Sequence, residues 1–393
     1  MNLILHIGTN KTGTTALQKF LSFNRRKLTK YGIHYATPPD SYNFNSVVRA
    51  PRCSTRDAPS WALLPRYHLV EKQHEIFGQF FLDHLNYAER EGFHTIVASS
   101  EALYCMPIHL YDPGDGKVCV DTLAQIECLR AAIPSSVNCR IVCYVRRPDR
   151  YLESLYNQCV KQGMFTGEIG EFASIVEDML DYHRCLSMWR KVFGDSNTEV
   201  RVYETALPNL IHDFLRYVLH LHESSLFAKA GLRVNERLSR DLTEYIRLLN
   251  KNIPCSERTF DEKICSLVDE RIANPSGNHE YLSPDERAAL LSRLEPSMER
   301  LRTEFALSAF PQFDYESAKA TWRPHPGLSP EKRREIECHY KAAQGWIGFR
   351  LERIFKQAAS MARRRLPFLS FVLDFVRASG MRRILLVAIN RLK

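Results

Sequence analysis

The chain has 393 residues, 45% of them hydrophobic and 25% charged, an ordinary globular mix with room for one large or two ordinary domains. Its 54 Lys+Arg against 45 Asp+Glu leave a net charge of +9. Residues 331–393 hold 15 of the basic and 5 of the acidic side chains, so residues 1–330 carry 39 and 40, a net of −1. The body is neutral and the tail alone is basic. In that tail the charge alternates with apolar runs rather than with stacking aromatics, which argues against nucleic acid as a partner.

Eleven cysteines, odd in number, irregular in spacing and without a CxxC pair, fit a reducing compartment better than a disulfide framework. The histidines form no HExxH, so no metal site is expected. The start, MNLILHIGTNKTGTT, has no basic n-region and meets a glycine at Gly8, unlike a signal peptide. No run of about 18 apolar residues is present, so a cytoplasmic protein is expected.

Four apolar, β-branched runs read as strands buried on both faces: Leu3–Ile7, Thr95–Ala98, Arg140–Val145 and Glu199–Tyr203. Helical patterns cover Thr14–Tyr31, Ile76–Glu91, Asp121–Ala132, Asp149–Lys161, Ala173–Phe193 and Leu207–His220. Residues 37–66, with five prolines, read as a long loop. The alternation predicts an α/β fold, a doubly wound and mostly parallel sheet flanked by helices.

A further helical section runs from Ser239 to Ser308, with helix starts at Ser239 and Ser283-Pro284. The Pro- and Gly-rich stretch 322–332 marks a boundary between a body of 1–325 and extra C-terminal helices in a basic, amphipathic tail of 326–393. Interleaved cationic and apolar blocks suit peripheral contact with an anionic inner membrane face; they equally suit a hairpin packed on the body or on a second subunit.

The first strand runs into Gly8-Thr9-Asn10-Lys11-Thr12-Gly13-Thr14-Thr15 and then a helix. Such a turn aims backbone N–H groups and the positive helix end at one spot, an anion site. Gly8 and Gly13 have the spacing of a nucleotide-triphosphate loop, but Thr14 stands where that motif has lysine, and no strand ends in an aspartate for magnesium. A later strand ends in Arg146-Arg147-Pro148-Asp149-Arg150, with Ser154 and Tyr156-Asn157-Gln158 following on a helix. Arginine at the carboxyl end of a parallel strand stands where ligands bind in open sheets, and its planar fork suits phosphate.

KTGTT after the first strand, with RRPxRxxxSxYNQ after a later one, resembles the sulfotransferases that use 3′-phosphoadenosine 5′-phosphosulfate, and more closely their bacterial branch related to carbohydrate sulfotransferases. Supporting similarities are Val97–Glu101, Leu180-Asp181-Tyr182 with Trp189 and Phe193-Gly194, Arg201–Glu204, and Asn235–Ser239 before Arg247–Asn250; together they span about residues 1–255.

The resemblance implies sulfuryl transfer to a hydroxyl of a carbohydrate or glycolipid. Lys11, Thr12, Gly13, Thr14 and Thr15 would hold the 5′-phosphosulfate, and Arg146 and Ser154 the 3′-phosphate. The chemistry calls for no metal. Lys11 would stabilise charge on the leaving oxygen, and Glu101 would take the acceptor proton. Relatives carry that glutamate a few positions earlier, where this chain has Ala98.

Glu101 could instead cap the next segment or pair with an arginine. His6 is a rival base, although a histidine in an apolar strand is more often a core residue. Lys161 reads as a solvated helix position rather than an acceptor contact. Two other functions fit the strand–loop–helix: a nucleotide-dependent kinase, or a non-catalytic nucleotide-binding or membrane-scaffolding member of the fold.

Overall fold

A computed structural model describes residues 1–38, 41–42, 70–104, 110–112, 116–118, 122–222, 227, 237–253, 262–272 and 280–343. Its strands are β1 (Asn2–His6), β2 (Ile33–Ala36), β3 (Thr95–Ser99), β4 (Leu110–Asp112), β5 (Gly116–Val118), β6 (Asn138–Val145) and β7 (Thr198–Val202). Five of them form one sheet in the order β2-β3-β1-β6-β7, every pair parallel; β4 and β5 make a separate antiparallel hairpin.

Strand β1 is central, paired through Leu3 with Ile96 on one side and Cys139 on the other. After β1 the chain goes to the β2 edge, returns to β3, and then crosses β1 to reach β6 and β7. The direction of winding therefore reverses around the end of β1, which is where open α/β sheets bind ligands.

The longer helices are α1 (Thr14–Phe23), α2 (Val70–Arg90), α3 (Thr122–Ala131), α4 (Pro148–Lys161), α5 (Tyr182–Phe193), α6 (Arg240–Lys251) and α7 (Pro284–Glu304). Ile4, Val97, Val142 and Tyr144 face one way and pack with Leu17, Phe20 and Leu21 of α1 and with Leu210, Phe214 and Leu215. Their alternates Leu3, Leu5, Ile96, Ala98, Ile141 and Cys143 are buried on the opposite face. Covering both faces explains why these strands read as continuous apolar runs.

The α/β, doubly wound architecture is as expected, with differences in detail. The helix expected over Thr14–Tyr31 ends at Phe23, because Asn24 turns its side-chain amide onto the Phe20 carbonyl at 3.0 Å. A short turn of helix (Arg25–Leu28) and a 3-10 turn (Thr29–Tyr31) then lead to Gly32 at φ 67. Asparagine offers the backbone an alternative partner and so breaks helices. The Ala173–Phe193 pattern divides into Ile169–Ile175, Glu177–Leu180 and α5, with Asp181 accepting the Arg184 N–H at 2.9 Å as the cap. Leu207–His220 likewise resolves into short turns, Leu210–Asp213 and a π-type turn over Phe214–Val218.

Ser239 and Ser283 cap α6 and α7 as expected, Ser283 in a full capping box with Glu286. The 37–66 loop lies almost wholly outside the described residues, as does the tail beyond residue 343; 330–343 is helical.

The chain divides into two units: Met1–Phe260 with Ser276–Gly327, and Asp261–Pro275 with Leu328–Lys393. No helix among the described residues is long and apolar enough to cross a membrane.

Candidate functional site

Past His6 the chain keeps following β6. The Ile7 N–H donates to the Val142 carbonyl at 2.9 Å and the Thr9 N–H to the Tyr144 carbonyl at 3.1 Å. The buried Thr9 hydroxyl also donates to the Tyr144 carbonyl, at 3.0 Å, and the Thr12 hydroxyl to the Thr9 carbonyl, at 2.6 Å. These two hydroxyls brace the loop from inside.

Lys11 stands at φ 68 and Gly13 at φ 73. A lysine held in the left-handed region costs about 1–2 kcal/mol, the kind of strain that gathers at ligand sites. Gly13 is the residue before α1 and has no side chain to cap it. The first N–H groups of α1, from Thr14 and Thr15 onward, thus point into the loop as an anion cradle. A Cβ on Gly13 would come within 2.6 Å of Leu210 Cδ2. Gly13→Ala is therefore expected to lower stability by about 1–2 kcal/mol in a thermal melt; an unchanged melting temperature would show that this position does not need glycine.

Arginines 146 and 147 leave β6 in different directions. Arg147 turns inward, pairing with Asp149 at 2.7 and 2.9 Å and donating to the carbonyls of Pro311 and Gln312 at 3.1 and 3.0 Å. Arg146 turns toward the loop, and its Nη1 donates to the Lys11 carbonyl at 3.4 Å. Its guanidinium lies 5.6 Å from the centre of the Tyr203 ring, and its Nε is 3.9 Å from Glu204, too far for a hydrogen bond. That buried Nε has no hydrogen-bond partner among the described residues. Burial pulls the Arg146 pKa below its usual value; Tyr203 and Glu204 oppose this, and Arg150 and Arg237 add repulsion. A half-buried guanidinium with a spare donor and cationic neighbours fits an anion.

On α4, Gln158 accepts a hydrogen bond from Lys11 Nζ at 3.1 Å. Ser154 is half-buried one turn earlier. Residues four apart share a helix stripe, so Ser154 lies on the stripe that faces the loop, about 9 Å along the axis from the start of α4. Lys161, three residues beyond Gln158, is 2% exposed. The expectation of a solvated position is wrong: Lys161 shares the helix stripe of Ser154, Asn157 and Gln158, which the fold covers.

At the β3 side of β1, the Ser100 N–H donates to the His6 carbonyl at 3.0 Å and prolongs the ladder. Half-buried Glu101 follows and accepts from Gln18 Nε2 of α1 at 2.8 Å. His6 is 1% exposed, stacked edge-on between Tyr144 and Phe214, with Nδ1 2.7 Å from Ser99 Oγ. Burial pushes its pKa down to about 3. Burial thus makes its ring a weak base, in keeping with a core histidine.

Lys11, Thr12, Gly13, Thr14, Thr15 and Arg146 thus come together at the reversal of the sheet, with Ser154 on the facing stripe and Glu101 tied to the same helix. Sequence reasoning did not single out Gln158, Tyr203 or Glu204. All three stand in segments it quoted, but their pairing with Lys11 and Arg146 depends on helix phase and on β7 lying beside β6.

No protein-family model matches the chain. An uncharacterized protein of Archaeoglobus fulgidus is 28% identical over 170 residues, covering 42% of this chain and 45% of that protein. The chain thus matches less than half the length of that relative. The crystal structure of a sulfotransferase from Alicyclobacillus acidocaldarius aligns with 78% of this chain and 96% of its own, at 13% identity and a TM-score of 0.41. That likeness is too loose to bear on the chemistry.

Proposed function

We propose that this protein is a sulfotransferase that moves a sulfuryl group from 3′-phosphoadenosine 5′-phosphosulfate to a hydroxyl of a carbohydrate or glycolipid, in the cytoplasm. One observation carries the reading. Arg146, at the end of β6, reaches the backbone of Lys11 in the loop after β1. The two anion-binding segments therefore form one edge, as a nucleotide with a phosphate at each end of its ribose requires.

In this reading the Lys11–Thr15 cradle holds the 5′-phosphosulfate, and Arg146 and Ser154 hold the 3′-phosphate. The acceptor oxygen attacks sulfur and forms the new S–O bond. The S–O bond to the 5′-phosphate breaks, and its electron pair leaves with adenosine 3′,5′-bisphosphate. The hydroxyl proton passes to the Glu101 carboxylate. Lys11 Nζ, released from Gln158, supports the negative charge gathering on the leaving oxygen.

The test is a thermal shift. Adenosine 3′,5′-bisphosphate is expected to raise the melting temperature, since a ligand at a hundred times its Kd adds about 2.7 kcal/mol to apparent stability. Magnesium ATP and adenosine 5′-monophosphate are expected to do markedly less. Greater stabilisation by magnesium ATP would overturn the reading in favour of a kinase.

A further inference from the structure

Gln18 lies on α1, four residues after the loop that carries Gly13 and Thr14, and it is 0% exposed. A wholly buried glutamine must satisfy its amide inside the protein. Its Nε2 lies 2.8 Å from Glu101 Oε2, 3.2 Å from Ser99 Oγ and 3.4 Å from the Ser99 carbonyl. A carboxylate and a carbonyl only accept, so the NH₂ end of the amide is the end that faces them.

Ser99 Oγ, which accepts from Gln18, is also hydrogen-bonded to His6 Nδ1 at 2.7 Å. His6 lies on β1, Ser99 on β3 and Gln18 on α1. The chain His6–Ser99–Gln18–Glu101 therefore ties the carboxylate to the strand and helix on either side of the anion loop.

We propose that Gln18 is a positioning residue for Glu101: its amide, locked by Ser99 and His6, holds the carboxylate where it takes the acceptor proton. This rests on the sulfotransferase reading above. A single hydrogen bond to a half-exposed carboxylate would leave several rotamers open. An amide fixed at both of its donors selects one and keeps Glu101 in step with the helix that begins at the phosphosulfate cradle.

The experiment is a double-mutant cycle on the full chain, with donor hydrolysis as the assay and water as the acceptor. Glu101→Gln is expected to slow release of adenosine 3′,5′-bisphosphate about a hundredfold or more, as loss of a general base does. Gln18→Met, which keeps the volume and removes the donors, is expected to slow it about tenfold, as loss of a hydrogen bond to a charged group does. The double variant is expected to be no slower than Glu101→Gln alone, with the donor KM and stabilisation by adenosine 3′,5′-bisphosphate unchanged throughout.

Ser99→Ala removes one acceptor of the same amide without deleting a large core side chain; it is expected to give a few-fold loss that likewise vanishes in the Glu101→Gln background. Additive losses, or a weakened response to adenosine 3′,5′-bisphosphate in the Gln18 variant, would overturn the positioning role and leave a merely structural one. A native protein that neither hydrolyses the donor nor responds to the bisphosphate would instead bring down the sulfotransferase reading, and this proposal with it.

Discussion

Replacing Lys11 with alanine is expected to cut turnover by about a hundred- to a thousand-fold while lowering stability by no more than about 1 kcal/mol. A preorganised donor aimed at charge that develops only in the transition state is worth roughly 3–4 kcal/mol. In the ground state Lys11 Nζ donates to the neutral Gln158 side chain at 3.1 Å. A part-buried hydrogen bond of that kind contributes only about 1 kcal/mol net. Alanine is also less strained than lysine to no appreciable degree at φ 68, so the backbone cost stays. The large effect should therefore fall on kcat, with donor KM moving by much less. Equal losses in stability and rate would mean that Lys11 shapes the loop rather than serving the reaction.

Arg287→Ala is expected to be strongly destabilising, costing about 3 kcal/mol in urea unfolding. Arg287 is 1% exposed and reaches from α7 to α4, where it pairs with Asp149 and, at 3.0 Å, with Glu153. Glu153 also accepts the backbone N–H groups of Tyr281 and Leu282 at 2.7 and 2.9 Å. Burial drives the Asp149 carboxyl toward its neutral form, but hydrogen bonds and charge from Arg147 and Arg287 outweigh this and hold its pKa below the usual carboxylate range. Removing Arg287 takes one cation from two buried carboxylates: Asp149 keeps Arg147, and Glu153 keeps Arg237 at 3.2 Å and its two N–H donors, so each is left under-compensated rather than bare. Arg287→Met should recover little of the loss, since it restores packing and not charge. A cost under about 1 kcal/mol would show that water reaches the cluster and screens it.

Much of the sheet was legible because its strands are short, apolar and buried on both faces. The anion loop was legible because glycines 8 and 13, Lys11 and the threonines are contiguous. Three strands were missed: β2, a four-residue edge strand, Ile-His-Tyr-Ala, and the three-residue strands β4 and β5, none of which gives a run to detect. The breaks at Asn24 and Asp181 were written in residues known to cap and interrupt helices, but helical periodicity on both sides masked them. RRP carried two arginines, of which the resemblance and not the local pattern singled out Arg146. Only the side chain of Asp149, two positions on, and the carbonyls at 311 and 312 decide that Arg147 turns inward and Arg146 toward the loop. The Gln18–Glu101 contact joins residues 83 apart in the chain, beyond the reach of any local pattern.

The central place of β1 has a kinetic consequence during synthesis. Asn2 pairs with Thr95 on one side and Asn138 on the other. Strand β1 leaves the ribosome before β3 and β6, and must therefore wait until β6 has emerged before both of its edges are covered. Throughout that interval an apolar strand presents open hydrogen-bonding edges, the state most prone to aggregation. Such distant parallel pairings also make folding slow. The loop bearing Lys11 is translated more than a hundred residues before β6, yet it gains its shape only when Val142 and Tyr144 arrive to accept the N–H groups of Ile7 and Thr9.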